Sequence, residues 1–577
     1  MNTIRYIQHY LRREKALLLL PFIAIWLSLT LAPYCTTFWD SGIYVSMGNA
    51  IAKGEGAKYL GYTFKYPPVF PAMLALIIKP FGYNFTLMRL LMVAFAVGAI
   101  WLAYLIVRDH SNRWIAAGVM AASGFSYTIL FECTRILSDL PYMFISLLAI
   151  RWIERYAVRE SGWRSRAGCI AIGLMVVAFF TRILGATLFV AATAYLICTA
   201  SRSWLNVKKA AAVSTMLVVV FSIWGAYVHL GGNPFPPELR QGISYGKEFL
   251  TITTETSDAP RINWAALWER TTTNAAYYQS LLTHIVLGKQ QRFANRENIH
   301  IGGTDVVVVL MLLAGYVLCF VERRTFLEFY IFVYLLTYIL WPALQQERFL
   351  VPIVPFLFYY LLRVIERLFI GIRWLSQRAL GWSDRRRALD ALAIIVFVGL
   401  CVHLNWKTDI RIIRTEKSEP YYSGRYGVLS HMTEWLRENT PDDTTLVTSE
   451  PAFVQILFET SAPKHVTHRK TFGFPWIEDP GQIMDFFNRV GVNYVISVPS
   501  GRAKAYLHPV LERYADRLEE VHRLGGYVIY RIPGVKYAGS MRASELERRE
   551  AALSRPTKSQ QPQNKPERPI DSMKPTF

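Results

Sequence analysis

Chemistry based on cysteine or histidine has little to work with in this sequence. Its 577 residues include six cysteines, Cys35, Cys133, Cys169, Cys198, Cys319 and Cys401. None has metal-type spacing and most sit in apolar blocks, so no disulfide framework is implied. His229, His284 and His300 fall in or near one polar segment without forming an i, i+4 metal pair. Charge is also sparse, at 18% of residues, and lopsided, with 63 Lys and Arg against 42 Asp and Glu. No basic face with interleaved aromatics occurs on a soluble segment, so a nucleic-acid partner is not expected. Arg5, Arg12, Arg13 and Lys15 precede the apolar stretch Ala16–Tyr34, and no small-residue cleavage site follows. That stretch therefore reads as a retained first helix with its N-terminus inside.

Apolar residues make up 53% of the chain and come in long blocks joined by short charged links. A bilayer is crossed by about 20 apolar residues, so a polytopic membrane protein is expected. The blocks are Ala16–Tyr34, Pro67–Gly82, Phe85–Val107, Trp114–Phe131, Leu137–Ile153, Ala167–Phe180, Ile183–Ala200, Ala210–Leu230, Asp305–Val321, Phe326–Pro342, Phe349–Ile365 and Ala388–Leu404. Pro67–Gly82 is the weak one, short and carrying Pro67, Pro68, Pro71 and Pro80. Placing it along the outer surface puts the basic short links inside, including Arg108/Arg113, Arg151 to Arg166, Arg323/Arg324 and Arg363 to Arg387. About eleven spans and surface helices then satisfy the positive-inside rule.

The expected organisation is a cytoplasmic N-terminus (1–15), a transmembrane region (16–406) and an extracytoplasmic α/β domain (407–535). The region 16–406 has outer loops at 35–84 and 231–304. In the α/β region, Tyr426–Thr440, Pro451–Thr460, Pro480–Val490 and Ala505–Leu518 read as helices, and Thr444–Ser449, Asn493–Val498 and Gly526–Ile532 as strands. This region has no Gly-rich phosphate fingerprint. Residues 536–577 are rich in Lys, Arg, Glu, Pro, Gln and Ser and read as a disordered tail.

Outward-facing charges are the candidates for chemistry, because polar groups near a membrane are costly unless they pair or function. Asp40 follows the first span and suits either a helix N-cap or a general base on a surface helix. Asp139, beside Ser138 and before Pro141, suits a helix start or acid/base work. Glu132 lies at the same face. Acids converging there could also hold a divalent cation, so metal use is left open, with Mg or Mn as candidates. Lys65, Arg182 and Arg348 are outward cations, the last preceded by Glu347. Singly each would anchor at the interface; gathered together they would hold a lipid phosphate.

The order of these residues resembles the GT-C class of glycosyltransferases. The branch is that of protein O-mannosyltransferases, lipid A aminoarabinose transferases and rhizobial core-oligosaccharide transferases. The segments concerned are Trp39-Asp40-Ser41-Gly42-Ile43-Tyr44, Lys65-Tyr66-Pro67-Pro68, Arg135-x-x-Ser138-Asp139-x-Pro141, Thr181-Arg182 and Arg348-Phe349-x-x-Pro352-x-x-Pro355. The resemblance covers roughly Ala16–Ile365. Where the family has Asp-Glu, this chain has Asp40-Ser41, so a second carboxylate beside the base is missing.

The resemblance implies a polyprenyl-phosphate-sugar donor and a glycan, lipid or protein acceptor in contact with membrane lipid. Asp40 would take the acceptor proton, with inversion at the anomeric carbon. Lys65, Arg182 and Arg348 would stabilise the leaving phosphate. Asp139 would orient the acceptor or help hold a cation, and Glu132, Ser138 and Glu347 are further acceptor or cation candidates. A polysaccharide ligase or polymerase, or a lipid-glycan transporter, is the alternative class. A transporter would more often show charges within spans and internal repeats.

Overall fold

The computed structural model describes residues 15–533 apart from 35–38, 155–165, 200–203, 231–233, 237, 240–243, 253–258, 290–300, 345, 381–385, 419–423, 462–468, 476, 478 and 500–505. The N-terminal residues before Lys15, Cys35 and the tail beyond 533 lie outside the described residues.

The chain is mostly helical. In order, the helical part consists of α1 (Leu19–Ser28), α2 (Trp39–Ala52), α3 (Val69–Phe81), α4 (Phe85–His110), α5 (Arg113–Gly124), α6 (Tyr127–Cys133), α7 (Asp139–Trp152), α8 (Arg166–Thr181), α9 (Ala186–Thr199) and α10 (Trp204–Leu230). These are followed by α11 (Tyr245–Leu250), α12 (Trp264–Val286), α13 (Gly303–Arg323), α14 (Phe326–Leu340), α15 (Val354–Leu380) and α16 (Arg386–Ser418). A short hairpin, β1 (Lys58–Tyr59) with β2 (Tyr62–Thr63), lies between α2 and α3.

Among the described residues, four helices are long and apolar enough to cross a membrane, and five if one bent pair counts as a single span. That pair is α5 and α6, which meet at 50°. The sequence reads Trp114–Phe131 as one continuous helix. The structure breaks it at Phe125-Ser126, and the Tyr127 N–H beyond the break is satisfied by the Asn405 side-chain oxygen at 2.9 Å. A buried bend of this kind is tolerated when its freed backbone groups find partners.

One large core binds the bundle together. α4 packs on α7, α9 on α10, and α13 on α15. Glycine allows the closest crossing: a Cβ at Gly315 would sit 2.2 Å from the Tyr360 carbonyl oxygen. Small residues at such crossings let apolar helices approach in the absence of a hydrophobic drive. Charged groups gather at the ends of the helices. At one end Arg151 meets Asp109 at 2.8 Å and His110 meets Glu154 at 2.6 Å. Asp139 begins α7 at the other end.

Beyond α16 the chain forms α17 (Gly424–Asn439), β3 (Thr445–Thr448), α18 (Pro451–Ser461), β4 (Lys470–Phe472), α19 (Pro480–Val490), β5 (Tyr494–Ser497), α20 (His508–Arg513), β6 (Glu519–Leu524) and β7 (Tyr527–Arg531). The strands make one mixed sheet in the order β4-β3-β5-β7-β6. β3 is parallel to β4 and β5, while β7 is antiparallel to β5 and β6. β4 and β6 were not legible in the sequence. β4 is only three residues long, and β6, Glu519 to Leu524, is a polar edge strand whose residues do not alternate.

Candidate functional site

Four charged side chains from four separate elements meet at one end of the bundle. Asp40 lies in the first turn of α2, and Asp139 in the first turn of α7. A helix N-terminus favours negative charge, and Pro141 falls in the same turn, where its missing N–H costs nothing. Arg182 stands in extended backbone between α8 and α9, at φ −155°. The chain doubles back here through Gly185, where a Cβ would lie 2.3 Å from the Phe179 nitrogen. Arg348 sits in a 3-10 segment, Gln346–Ile353, that runs directly into α15.

Arg348 links the two acids. Its Nη1 donates to Asp40 Oδ2, and its Nε donates to Asp139 Oδ2 at 2.8 Å. Arg182 Nη1 donates to the other Asp139 oxygen, Oδ1. The Tyr66 hydroxyl donates to Asp40 Oδ1 at 2.7 Å. Asp139 and Arg348 are almost wholly buried, at 1% and 4% exposure. Isolated buried charges are prohibitively costly, so this alternation of acid and guanidinium is what permits the cluster. Burial pushes the Asp40 carboxyl up, but the Arg348 guanidinium, aided by Tyr66 and Arg182, outweighs it and holds Asp40 below its usual range. Burial drives Tyr44 up to about 12, so its hydroxyl stays protonated.

The cluster borders a cavity of about 810 Å³. Asp40, Lys65, Arg182 and Arg348 are among its lining residues, together with Ile183, Val190, Phe221, Leu336, Leu340 and Trp341. Its lining thus combines charged groups with a mostly apolar surface. Lys65 reaches the cavity already paired: its Nζ is 2.6 Å from Glu248 Oε1 and 5.1 Å from the centre of the Tyr245 ring.

Of the residues singled out in the sequence, Asp40, Lys65, Arg182 and Arg348 line the cavity, and Asp139 ties two of them together. The other three are placed differently. Ser138 Oγ lies 2.9 Å from the Tyr44 hydroxyl, behind the cluster. Glu132 is buried against Arg135 at 3.1 Å and does not line the cavity. Glu347 turns the other way from its neighbour Arg348, accepting from the Tyr127 hydroxyl at 3.0 Å. Nothing in the sequence marked Tyr66 as a partner of Asp40. The sequence also missed Tyr245 and Glu248; only an acid inside an outer loop marked the latter, with nothing nearby in sequence pointing to Lys65.

The donor set does not suit a divalent cation. Asp40 and Asp139 spend their oxygens on guanidinium and phenol donors, whereas Mg or Mn needs several free oxygens. Ser41 supplies no second carboxylate, and among the described residues no group of three or more His, Cys, Asp or Glu converges.

Residues 65–227 match the sequence profile of the dolichyl-phosphate-mannose-protein mannosyltransferase family. No curated protein sequence matches the chain. Among solved structures, ArnT from Cupriavidus metallidurans in the apo state is similar at 12% identity and a TM-score of 0.52, over 89% of this chain and 97% of that one. The Archaeoglobus fulgidus oligosaccharyltransferase tethered to an acceptor peptide is similar at 14% identity and a TM-score of 0.52, over 90% of this chain and 74% of that one. The same organism's oligosaccharyltransferase AglB, in complex with an inhibitory peptide and a dolichol-phosphate, is similar at 14% identity and a TM-score of 0.51, over 84% of this chain and 70% of that one. Fold and apolar helices agree: the chain shares its fold with the ArnT and oligosaccharyltransferase structures, and its long apolar helices are those of a multi-pass membrane protein.

Proposed function

We propose that the protein transfers a sugar from a polyprenyl-phosphate donor to an acceptor hydroxyl on the extracytoplasmic side of the membrane, with inversion at the anomeric carbon. The observation that carries this reading is Arg348 shared between Asp40 and Asp139 beside a cavity whose lining is mostly apolar. In this reading about eleven spans place the N-terminus in the cytoplasm. Residues 16–406 form the membrane domain and 407–535 an extracytoplasmic α/β domain.

The apolar lining suits a polyprenyl chain, and Arg182, Arg348 and Lys65 suit the phosphate. The cluster of Asp40, Asp139, Arg182 and Arg348 is electrically balanced as it stands, two acids against two guanidiniums. An incoming phosphate therefore has to compete with Asp40 and Asp139 for the same donors. When it takes Arg348, Asp40 loses the neighbour that holds its pKa down and becomes a stronger base. Donor binding thus prepares the base, which then removes the acceptor proton as the acceptor oxygen bonds to the anomeric carbon. The bond from that carbon to the phosphate oxygen breaks, its electron pair stays with the phosphate, and the arginines stabilise the added charge. Asp139 keeps both guanidiniums oriented and helps to position the acceptor. No step is assigned to a metal ion.

The experiment incubates purified protein with a panel of polyprenyl-phosphate sugars and candidate glycan, lipid and protein acceptors, and analyses products by mass spectrometry and anomeric NMR. A product of inverted configuration is expected from one donor. Donor hydrolysis without transfer, or translocation without chemistry, would overturn the proposal.

A further inference from the structure

The C-terminal region touches the site from behind. α18 packs against α2, the helix whose first turn carries Asp40. The approach is so close that a Cβ at Gly42 would lie 2.7 Å from the Ala452 Cβ and 2.8 Å from its carbonyl oxygen. Two turns further along the same face of α18 comes Glu459. Its Oε1 accepts from Ser46 Oγ at 3.2 Å and from Gln455 Nε2 at 3.0 Å. Its Oε2 accepts from Asn49 Nδ2 at 3.2 Å and from the Tyr83 hydroxyl. Ser46 and Asn49 belong to α2, and Tyr83 follows α3.

Gln455 carries the tie onward to the sheet. Its Oε1 accepts from the Thr471 N–H of β4 at 3.1 Å, and its Nε2 donates to the Arg469 carbonyl at 3.2 Å. Around this polar line, Ile43, Met47 and Phe64 share one apolar core with Val447, Ala452, Phe472 and Ile483. Apolar packing alone would join two bodies without needing a carboxylate at the seam. A carboxylate satisfied by four donors fixes rotation and register, because hydrogen bonds are directional.

We infer that α18 is the rear support of the Asp40 helix, with Ala452 against Gly42 setting its distance and Glu459 setting its rotation, so that Ala452 and Glu459 are positioning residues for the transfer reaction. The inference rests on the reading of Asp40 as the base.

The test uses the full-length protein and three variants, Asp40→Asn, Ala452→Leu and Glu459→Gln. For each, kcat, the KM for a polyprenyl-phosphate sugar, the pH profile and the melting temperature are measured. Glu459→Gln is isosteric, so it reports positioning even if Ala452→Leu folds poorly. A misplacement of about 1 Å costs about 100-fold in rate, so kcat of Ala452→Leu and Glu459→Gln should fall by about 10- to 100-fold. The donor KM should stay within about twofold, because Arg182 and Arg348 lie on other elements. The acid limb of the pH profile should move upward as Asp40 loosens from Arg348. Wild-type kcat in Glu459→Gln, or losses that simply track melting temperature, would overturn the inference while a dead Asp40→Asn leaves the base reading intact. Normal transfer by Asp40→Asn would overturn both.

Discussion

Replacing Arg348 by lysine preserves the charge and removes the fork. The two donors that Arg348 uses, Nε and Nη1, reach acids on two different helices, and a lysine ammonium lacks this planar fork. A hydrogen bond to a charged group contributes about 1.5–3 kcal/mol. The fold should survive the loss of one, because Asp139 keeps Arg182 and Asp40 keeps Tyr66. Catalysis should not. Loss of a single preorganised donor to developing charge costs about 2.7–4 kcal/mol, or about 10²- to 10³-fold in kcat. The pH dependence has a definite sign. Arg348 holds the Asp40 carboxyl below its usual range against the opposing effect of burial, so the ionised base persists as pH falls. Lysine keeps the charge but gives up the Nη1 hydrogen bond, so part of the hold on Asp40 is lost, burial raises its pKa partway, and activity is lost at a somewhat higher pH. Initial rates of sugar transfer in proteoliposomes, titrated across the acid range, would measure both effects. An Arg348→Lys enzyme with wild-type kcat and an unmoved acid limb would show that Arg348 neither stabilises the leaving phosphate nor governs Asp40.

Two further outcomes are expected. Tyr66→Phe removes the phenol that donates to Asp40 at 2.7 Å while keeping the ring against Tyr44, so thermal stability should hold. A hydrogen bond to a charged group contributes about 1.5–3 kcal/mol, so kcat should fall by about ten- to 100-fold, and the acid limb should move up slightly. Gly185→Ala places a methyl 2.3 Å from a backbone nitrogen that cannot yield. This should cost about 1–3 kcal/mol and displace Arg182, read as a lower melting temperature together with a raised donor KM.

Much of the helical scaffold was legible because apolar blocks and their charged links follow from the bilayer. Asp40, Asp139, Arg182 and Arg348 were picked out as charges placed at helix ends where a membrane protein rarely tolerates them unpaired. What the sequence did not show was pairing across distance. Glu132 and Glu347 lie beside Arg135 and Arg348 in the chain, yet one closes a local pair and the other turns to Tyr127. Glu248 reaches Lys65 from a distant loop, and no local pattern encodes that meeting. The bend at Phe125-Ser126 was missed for a similar reason, since the Asn405 side chain that satisfies it comes from a remote helix. Tyr66 was hidden by its type: a tyrosine near a span end ordinarily belongs to the interfacial belt.

Asp40 is assigned the acceptor proton and the arginines the phosphate, and Asp40→Asn separates the two tasks. With the donor found by the product screen, binding would be measured by calorimetry and single-turnover transfer by mass spectrometry. The variant should bind donor at least as tightly as the wild type, because Arg348 is released from a competing carboxylate, and should transfer more than about 100-fold more slowly. Transfer at the wild-type rate, with donor bound, would contradict the assignment of Asp40 as the base.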